Sequence, residues 1–191
     1  MMKKSEGFSL IELLVVVAII GVLAAVGIVG YQTYIDNTRR DVARTNAESV
    51  ERWVNSTQIA RAGGLTISPA DCGVDNATAT FQACFDDLTS VAARPFHNFK
   101  NPYQTGNDRP LVVLLDNSTV LAPGNACSGG AVRNVSNVKG AGTTTAPGDW
   151  RGVTIIGQVT GDSLSNTDNL INIGFCDIDS NYVRVTDNLT F

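Results

Sequence analysis

The chain begins with a short basic segment that leads into a long apolar run. The segment Leu13–Gly30 contains no charged side chain, and its length lies within the range of about 17–25 residues that a transmembrane helix needs. Lys3 and Lys4 precede it and should stay in the cytoplasm, because lysine and arginine near a membrane segment favour that side. The pattern predicts a membrane-spanning helix with the bulk of the chain on the far side of the membrane.

The helix should continue beyond the membrane as an amphipathic one. Apolar and small residues recur at three- or four-residue intervals after Gly30, which is the pattern of a helix with one buried face; they are Tyr31, Tyr34, Ile35, Thr38, Val42, Ala43, Ala47, Val50 and Val54. Gly63-Gly64 is the nearest strong stop signal. We predict one helix over about Phe8–Ala62, about 80 Å long at 1.5 Å per residue, with its first half projecting and its second half packed against a sheet.

The remainder of the chain is predicted to form a loop-rich region followed by an antiparallel sheet, which makes the fold class α+β. Residues 63–110 show little periodicity apart from a possible short helix over Phe81–Ala93. Runs rich in β-branched and apolar residues, bounded by turn signals, then predict strands. These are Leu111–Leu115, Thr119–Leu121, Ala131–Val138, Val153–Val159, Leu170–Phe175 and Tyr182–Thr186. The glycine-rich stretch Gly140–Gly148 is predicted to be a surface loop.

Glu12 is the residue at the start of the apolar run that most needs an explanation. A charged side chain inside a membrane costs a few kcal/mol, so such a residue suggests a function. The alternative is an uncleaved signal anchor in which Glu12 reaches the membrane interface. A secretory signal peptide does not fit, because no small-residue cleavage site follows the run. The candidate processing point lies before the run, between Gly7 and Phe8.

The sequence Gly7-Phe8-Ser9-Leu10-Ile11-Glu12-Leu13-Leu14 resembles the class III signal of type IV pilins and related pseudopilins. The resemblance covers about residues 3–45 and implies a short-leader pilin that prepilin peptidase cleaves after Gly7, with N-methylation of the new N-terminal Phe8. The expected organisation is a leader (1–7), a transmembrane and filament-core half-helix (8–30), an amphipathic half-helix (31–62), a loop-rich αβ region (63–110), and an antiparallel sheet with a disulfide-tied C-terminal region (111–191).

The resemblance also implies a function. The precursor would sit in the inner membrane, and the pilus assembly machinery there would polymerise processed subunits into a helical filament of identical copies outside the cell. The family's fibres serve adhesion, twitching motility or DNA uptake, through binding to surfaces or DNA. Because opposite charges attract strongly in a low-dielectric setting, we hypothesise that Glu12 pairs with the Phe8 amine of a neighbouring subunit and fixes the docking register.

Other functions remain open at this stage. A minor pilin or a pseudopilin of type II secretion would share the same N-terminus, and a membrane-anchored periplasmic binding or sensor domain would keep residues 1–7. The formal net charge of −4 gives no global basic footprint for nucleic acid. Nothing in the sequence resembles a catalytic constellation, so we expect neither an enzyme nor a cofactor.

The apolar run departs from the family pattern because it lacks the usual central proline. It contains Gly21, Gly27 and Gly30 instead, and glycine weakens a helix interior by about 0.5–1 kcal/mol relative to alanine. We favour local melting between Gly21 and Gly30 when the helix packs into a filament. The alternative is close helix–helix contact through small residues.

Cysteines and acidic residues in the second half of the chain suggest further sites. Four cysteines in an extracytoplasmic domain indicate disulfides and allow three connectivities; we favour Cys72–Cys84 and Cys127–Cys176. Zinc is disfavoured, because the chain has no Cys-x-x-Cys pair and a single histidine. Asp177, Asp179 and Asn181 have the alternating oxygens of a weak calcium candidate but lack the glycine and glutamate of an EF-hand loop. A turn between two strands is the favoured interpretation.

Overall fold

The computed structural model describes residues 7–65, 95–96, 99–104, 110–115, 123–127, 132–137, 140–143, 148–158 and 170–190. Within these, one helix precedes six strands: α1 (Leu10–Ala62), β1 (Pro110–Leu115), β2 (Val132–Asn137), β3 (Gly140–Thr143), β4 (Thr154–Gln158), β5 (Leu170–Cys176) and β6 (Tyr182–Thr190). The chain divides into two compact units, Met1–Thr38 and Arg39–Phe191, with the boundary inside α1. The predicted α+β class and single long helix are confirmed.

The first unit is the N-terminal part of α1, and its apolar side chains are exposed. Leu10 is 84% exposed and Val26 is 70% exposed. The most apolar stretch of this helix has a mean hydropathy of 3.0 and none of it is buried within the described residues, so the helix is long and apolar enough to cross a membrane. Burial of these side chains therefore requires a bilayer or other molecules.

The C-terminal end of α1 is closed by the two glycines that the sequence indicated. Gly64 has a positive φ of 66°, its N–H donates to the Arg61 carbonyl at 3.0 Å, and the Leu65 N–H donates to the Ala60 carbonyl at 2.9 Å. These two bonds form a Schellman motif, which satisfies carbonyls that the helix itself leaves without a donor. The helix ends here because glycine adopts the left-handed conformation without steric cost.

The sheet of the second unit has the strand order β3-β2-β1-β4-β5-β6. The β1–β2, β2–β3, β4–β5 and β5–β6 pairs are antiparallel, as predicted. The β1–β4 pair is parallel, with Val112 opposite Thr154 and Leu115 opposite Gly157. A parallel pair needs a long crossover connection, and the β2–β3 hairpin lies in the chain between these strands. The prediction of an antiparallel sheet was wrong for this pair, because sequence patterns indicate how consecutive strands connect and not which non-consecutive strands become neighbours.

Two further differences concern strand bounds. The prediction of a loop over Gly140–Gly148 was wrong for its first residues, because Gly140–Thr143 forms β3 at the edge of the sheet. Strand β3 pairs with β2 through backbone hydrogen bonds. Because β3 is rich in glycine, its sequence lacks the alternation of apolar and polar side chains by which a strand is predicted. Strand β6 extends to Thr190, where it pairs with Leu170. The predicted strand at Thr119–Leu121 and the predicted helix at Phe81–Ala93 lie outside the described residues.

The main hydrophobic core lies between the second half of α1 and one face of the sheet. The helix contributes Ala43, Ala47, Val50 and Val54, and the strands contribute Val112, Ile156, Ile171, Ile173 and Phe175. Phe96 joins this core and packs edge-to-face on Trp53, with ring centroids 5.8 Å apart. The small alanines on α1 allow the helix backbone to approach the sheet closely.

A smaller core occupies the opposite face of the sheet near the end of β5. It contains Cys127, Trp150, Val153, Ile155, Cys176 and Tyr182, all buried. Ile155 and Ile156 are adjacent on β4 and belong to different cores, because successive strand residues point to opposite faces. Residues 123–127 cover this face and bond to the start of β6, where the Tyr182 N–H donates to the Asn125 carbonyl at 2.8 Å.

The segment 99–104 connects α1 to the loop before β4 through side-chain amides. Asn46 on α1 donates to the Lys100 carbonyl at 3.2 Å. The buried Asn101 amide donates to the Arg151 carbonyl at 2.9 Å, and its Oδ1 accepts the Tyr103 N–H at 2.9 Å. These bonds fix a loop that the sequence pattern left unassigned.

Candidate assembly site at the start of the long helix

The start of α1 brings Ser9 and Glu12 into contact. Ser9 precedes the first helical residue, Leu10, and its carbonyl accepts the Leu13 N–H at 3.2 Å, which places Ser9 at the N-cap position. The Glu12 carboxylate reaches back, and its Oε2 accepts the Ser9 backbone N–H at 2.8 Å. This contact is the glutamate half of a capping box, in which the acid three residues after the N-cap bonds to the N-cap backbone.

The capping contact gives Glu12 a partner inside its own chain. The first N–H groups of a helix have no intrahelical acceptor, and a carboxylate in the first turn is further favoured by the positive end of the helix dipole. The sequence-based hypothesis pairs Glu12 with the amine of a neighbouring subunit, and the signal-anchor alternative places it at the membrane interface; neither includes Ser9 as a partner. The available signal was the spacing Ser-x-x-Glu directly before an apolar run, which is a capping-box pattern.

The surroundings of Glu12 are otherwise apolar. Phe8, Ile11, Val15 and Val16 line a shallow groove with Glu12 on the surface of the helix, and Phe8 is 80% exposed. The spacing of these residues puts them on one side of the helix. The arrangement offers one anionic acceptor within an apolar strip, which suits a cation carried on an apolar partner surface.

The three candidate glycines lie within an unbroken helix. Gly21, Gly27 and Gly30 are all helical in α1, and a methyl group added at any of them would meet no other atom within 4 Å. Packing inside the described subunit therefore does not require glycine at these positions. Their predicted role in local melting or close helix contact concerns the filament and stays a prediction.

The predicted Cys127–Cys176 disulfide is present. It joins residues 49 positions apart, with the two Cα atoms 6.2 Å apart, and both cysteines are buried in the smaller core. The bond ties the segment 123–127 to the end of β5. Cys72 and Cys84, which were expected to form the other bond, lie outside the described residues.

The weak calcium candidate forms a turn between β5 and β6. Asp177 Oδ1 accepts the Asp179 N–H at 3.0 Å and the Asn181 N–H at 2.8 Å, and the Asp177 N–H donates to the Asn181 carbonyl at 3.0 Å. The Asp177 carboxylate therefore holds the turn together. Among the residues that the structure describes, no group of three metal-binding side chains comes together.

Comparison with known proteins connects the N-terminal geometry to a family. The family described as "Prokaryotic N-terminal methylation motif" matches residues 2–28, which include the processing point, the capping box and the apolar run. No solved structure matches the chain.

Fimbrial proteins of two organisms are similar to part of the chain. A "Probable minor fimbrial protein" of Dichelobacter nodosus is 42% identical over 66 residues, which is 35% of this chain and 40% of the relative. "Type IV major fimbrial protein FimA" of the same organism is 37% identical over 85 residues, 34% of this chain and 53% of the relative. A "Fimbrial protein" of Pseudomonas aeruginosa is 58% identical over 38 residues, 20% of this chain and 25% of the relative.

These matches confirm the resemblance at the N-terminus. The chain spans only about a quarter to a half of the length of these three relatives. It carries the methylation motif at residues 2–28 and is similar to type IV fimbrial proteins, and its long apolar helix with an antiparallel β4–β5–β6 sheet is consistent with an α+β pilin fold.

Proposed function

We propose that this chain is a structural subunit of a type IV pilus. The observation that carries the proposal is the coincidence of the methylation motif at residues 2–28 with a 53-residue helix whose N-terminal apolar side chains are exposed. Exposed apolar surface of this extent is unfavourable in water. A bilayer buries it in the precursor, and neighbouring copies bury it in a filament, so one segment serves as anchor and then as filament core.

The proposed route begins in the inner membrane with Lys3 and Lys4 on the cytoplasmic side. Prepilin peptidase removes residues 1–7, Phe8 is N-methylated, and the inner-membrane assembly machinery adds the subunit to the filament. The resulting fibre lies outside the cell and acts in adhesion, twitching motility or DNA uptake. The names of the fimbrial relatives support this location and this structural, non-enzymatic role.

Glu12 directs subunit docking in this proposal. Removal of the leader creates a cationic amine on Phe8. The Phe8 amine of an incoming subunit pairs with the Glu12 carboxylate of a neighbouring subunit. The pair is strong because water is excluded from the filament core, and it fixes the axial register. Helix loosening between Gly21 and Gly30 then allows the packed helices to adjust to each other.

Mass spectrometry of filaments sheared from cells, with peptide mapping under non-reducing conditions, tests the function. We expect an abundant species that starts at N-methylated Phe8 and has all four cysteines oxidised. Full-length chain confined to the membrane would instead indicate an anchored binding or sensor domain.

A minor pilin is the second candidate, because two of the relatives are named as probable minor fimbrial proteins. A processed species present only in trace amounts in the sheared fraction would favour this candidate or a pseudopilin. An abundant one would favour the major subunit.

Filament yield from Glu12→Ala tests the docking role. We expect the yield to fall at least tenfold while the precursor still reaches the membrane. Glu48→Ala is the matched control, since Glu48 is another acid on α1 and its exposed ion pair with Arg44 contributes about 0.3–0.5 kcal/mol. Wild-type yield from Glu12→Ala would contradict the docking role.

A further inference from the structure

The contact between Ser9 and Glu12 uses one oxygen of the carboxylate. The Ser9 N–H donates to Oε2 at 2.8 Å. A carboxylate has two oxygens and several lone-pair sites, so Oε1 can accept a hydrogen bond from a second donor while Oε2 keeps the first. The two partners are therefore compatible, and the capping contact need not break when an amine arrives.

The same contact restricts the direction of the Glu12 side chain. Glutamate has several rotatable bonds, and fixing such a side chain in one conformation costs conformational entropy. In this structure the bond to Ser9 turns the carboxylate back toward the beginning of the helix, beside Phe8 and Ile11. A side chain that is already ordered loses less entropy when it binds a partner.

We propose that the Ser9 backbone N–H is a positioning group for assembly, because it holds the Glu12 carboxylate so that Oε1 receives the Phe8 amine of a neighbouring subunit. The inference rests on the proposed function. It adds that the acceptor is ordered within each subunit before docking. It also adds that in the uncleaved precursor, in which the Phe8 nitrogen is an amide, the Ser9 N–H already partners Glu12.

Hydrogen exchange on the unassembled full-length chain in detergent micelles tests the contact itself. The Ser9 amide should exchange about tenfold more slowly in the wild type than in Glu12→Ala, since a hydrogen bond to a charged group is a strong one. Glu12→Gln keeps an oxygen acceptor and should retain most of the protection. Equal exchange rates in the wild type and Glu12→Ala would overturn the inference.

Filament yield per processed subunit tests the consequence. Ser9→Pro removes the N–H donor and leaves Glu12 in place, so the yield should fall at least tenfold. Leu10→Pro is the matched control, because proline is well tolerated at the first helical position and the Ser9 N–H remains; its yield should stay within about threefold of wild type. Equal losses in the two proline variants would overturn the positioning role.

The two measurements separate this inference from the proposed function. Absence of wild-type filaments would refute the pilus subunit, whereas the exchange experiment uses unassembled chain and would still report the Ser9–Glu12 contact. Processing of each variant is read from the mass of its N-terminal peptide. If Ser9→Pro is not cleaved, the exchange result alone decides, with loss of protection in Glu12→Ala as the supporting outcome.

Discussion

At the scale of single residues, Gly152 shows how one backbone position fixes the loop before β4. Its φ is +71°, and a methyl group there would overlap Asn101 Oδ1 and the Tyr103 ring. Asn101 is buried and bonds to the same loop through the Arg151 carbonyl, so it has little room to move. Glycine at this position is therefore required both by conformation and by space.

We expect Gly152→Ala to lower the free energy of unfolding by about 2 kcal/mol or more, from the left-handed backbone and the overlap together. Gly124→Ala is the matched control, because Gly124 also has a positive φ, 84°, but nothing lies within 4 Å of an added methyl. It should cost about 1–2 kcal/mol. Chemical denaturation of the full-length variants in detergent measures both, and equal losses would contradict the packing role of Asn101.

The ion pair next to Gly152 predicts a pH effect. Hydrogen bonds from the Arg151 guanidinium hold the pKa of the Asp149 carboxyl below its usual range, against a smaller opposing effect of burial. A lowered folded-state pKa means that the stabilisation is present above about pH 4 and is lost as the pH falls. Both side chains are partly exposed, so solvent screening limits the contribution to under about 1 kcal/mol.

Thermal unfolding of the wild type and of Asp149→Asn between pH 6 and pH 3 checks this effect. The wild type should be the more stable at pH 6. The difference in Tm should shrink toward pH 3, because the Asp149 carboxyl of the unfolded chain takes up its proton as the pH falls below about 4. Arg44 and Glu48 form an exposed pair on α1, and Glu48→Gln serves as the control, with a smaller difference. A Tm difference that does not change with pH would contradict the assignment to Asp149.

The contacts of some single residues could be predicted from the sequence, and those of others could not. The Cys127–Cys176 pairing was favoured from the sequence, because it connects regions that a sheet would bring together. The Ser9–Glu12 contact follows a local spacing rule, and sequence reasoning could have found it. The overlap at Gly152 could not be found, since Asn101 and Arg151 are distant in sequence and only the folded chain brings them together.

At the scale of elements, α1 was the most predictable part of the chain. Its periodic pattern and its paired glycines gave both the buried face and the C-terminal end. The predicted stripe is buried at Ala43, Ala47, Val50 and Val54 but was wrong at Tyr31, Tyr34, Thr38 and Val42, which are exposed. At the last of these positions Val42 is 41% exposed, whereas its neighbour Ala43 is fully buried. The sequence pattern allowed either residue at this turn, and the sheet selects the smaller one, which permits close approach.

The Cys127–Cys176 disulfide links the segment 123–127 covalently to the end of β5. It joins Cys127 and Cys176, which are 49 positions apart, and lies in a core with Trp150, Ile155 and Tyr182. Chain-entropy arguments give a stabilisation of about 4 kcal/mol for a loop of this length, within a usual range of about 2–5 kcal/mol. The disulfide acts together with backbone hydrogen bonds that also hold the segment 123–127, since the Gly124 N–H donates to the Tyr182 carbonyl at 2.9 Å and the Cys127 N–H donates to the Ser180 carbonyl at 2.7 Å.

We expect Cys127→Ala/Cys176→Ala to lose about 2–5 kcal/mol of unfolding free energy. Proteinase K, which cleaves with broad specificity, should also cut within residues 123–127 sooner in this variant, because the segment separates from β6 more readily without the bond. Unfolding of the full-length wild type and of the double variant, each with and without a reducing agent, provides the control. Reduction should lower the unfolding free energy of the wild type by more than that of the double variant, because only the wild type has the Cys127–Cys176 bond to lose. Unchanged stability of the double variant would contradict this role of the bond.

At the scale of the whole molecule, the two compact units have opposite surface properties. Every residue that is buried among the described residues belongs to Arg39–Phe191, and the first of them along the chain is Ala43. The large apolar side chains of Met1–Thr38 that the structure describes are exposed, apart from the half-buried Ile35. The buried contacts that stabilise the fold therefore lie in the second unit. The exposed apolar side chains that a membrane or neighbouring copies would bury lie in the first.

This division predicts that a chain of residues 39–191 remains folded and monomeric in water without detergent. Its unfolding free energy should lie within about 2 kcal/mol of that of the full-length chain in detergent, since none of the described residues that the truncation removes is buried and the new helix start lacks a cap. The full-length chain without detergent should form large aggregates, because its exposed apolar helix is free to associate. Sedimentation velocity and thermal unfolding measure both properties. An unfolded or aggregated 39–191 chain would contradict this division, since it would mean that the first unit also contributes to the stability of the fold.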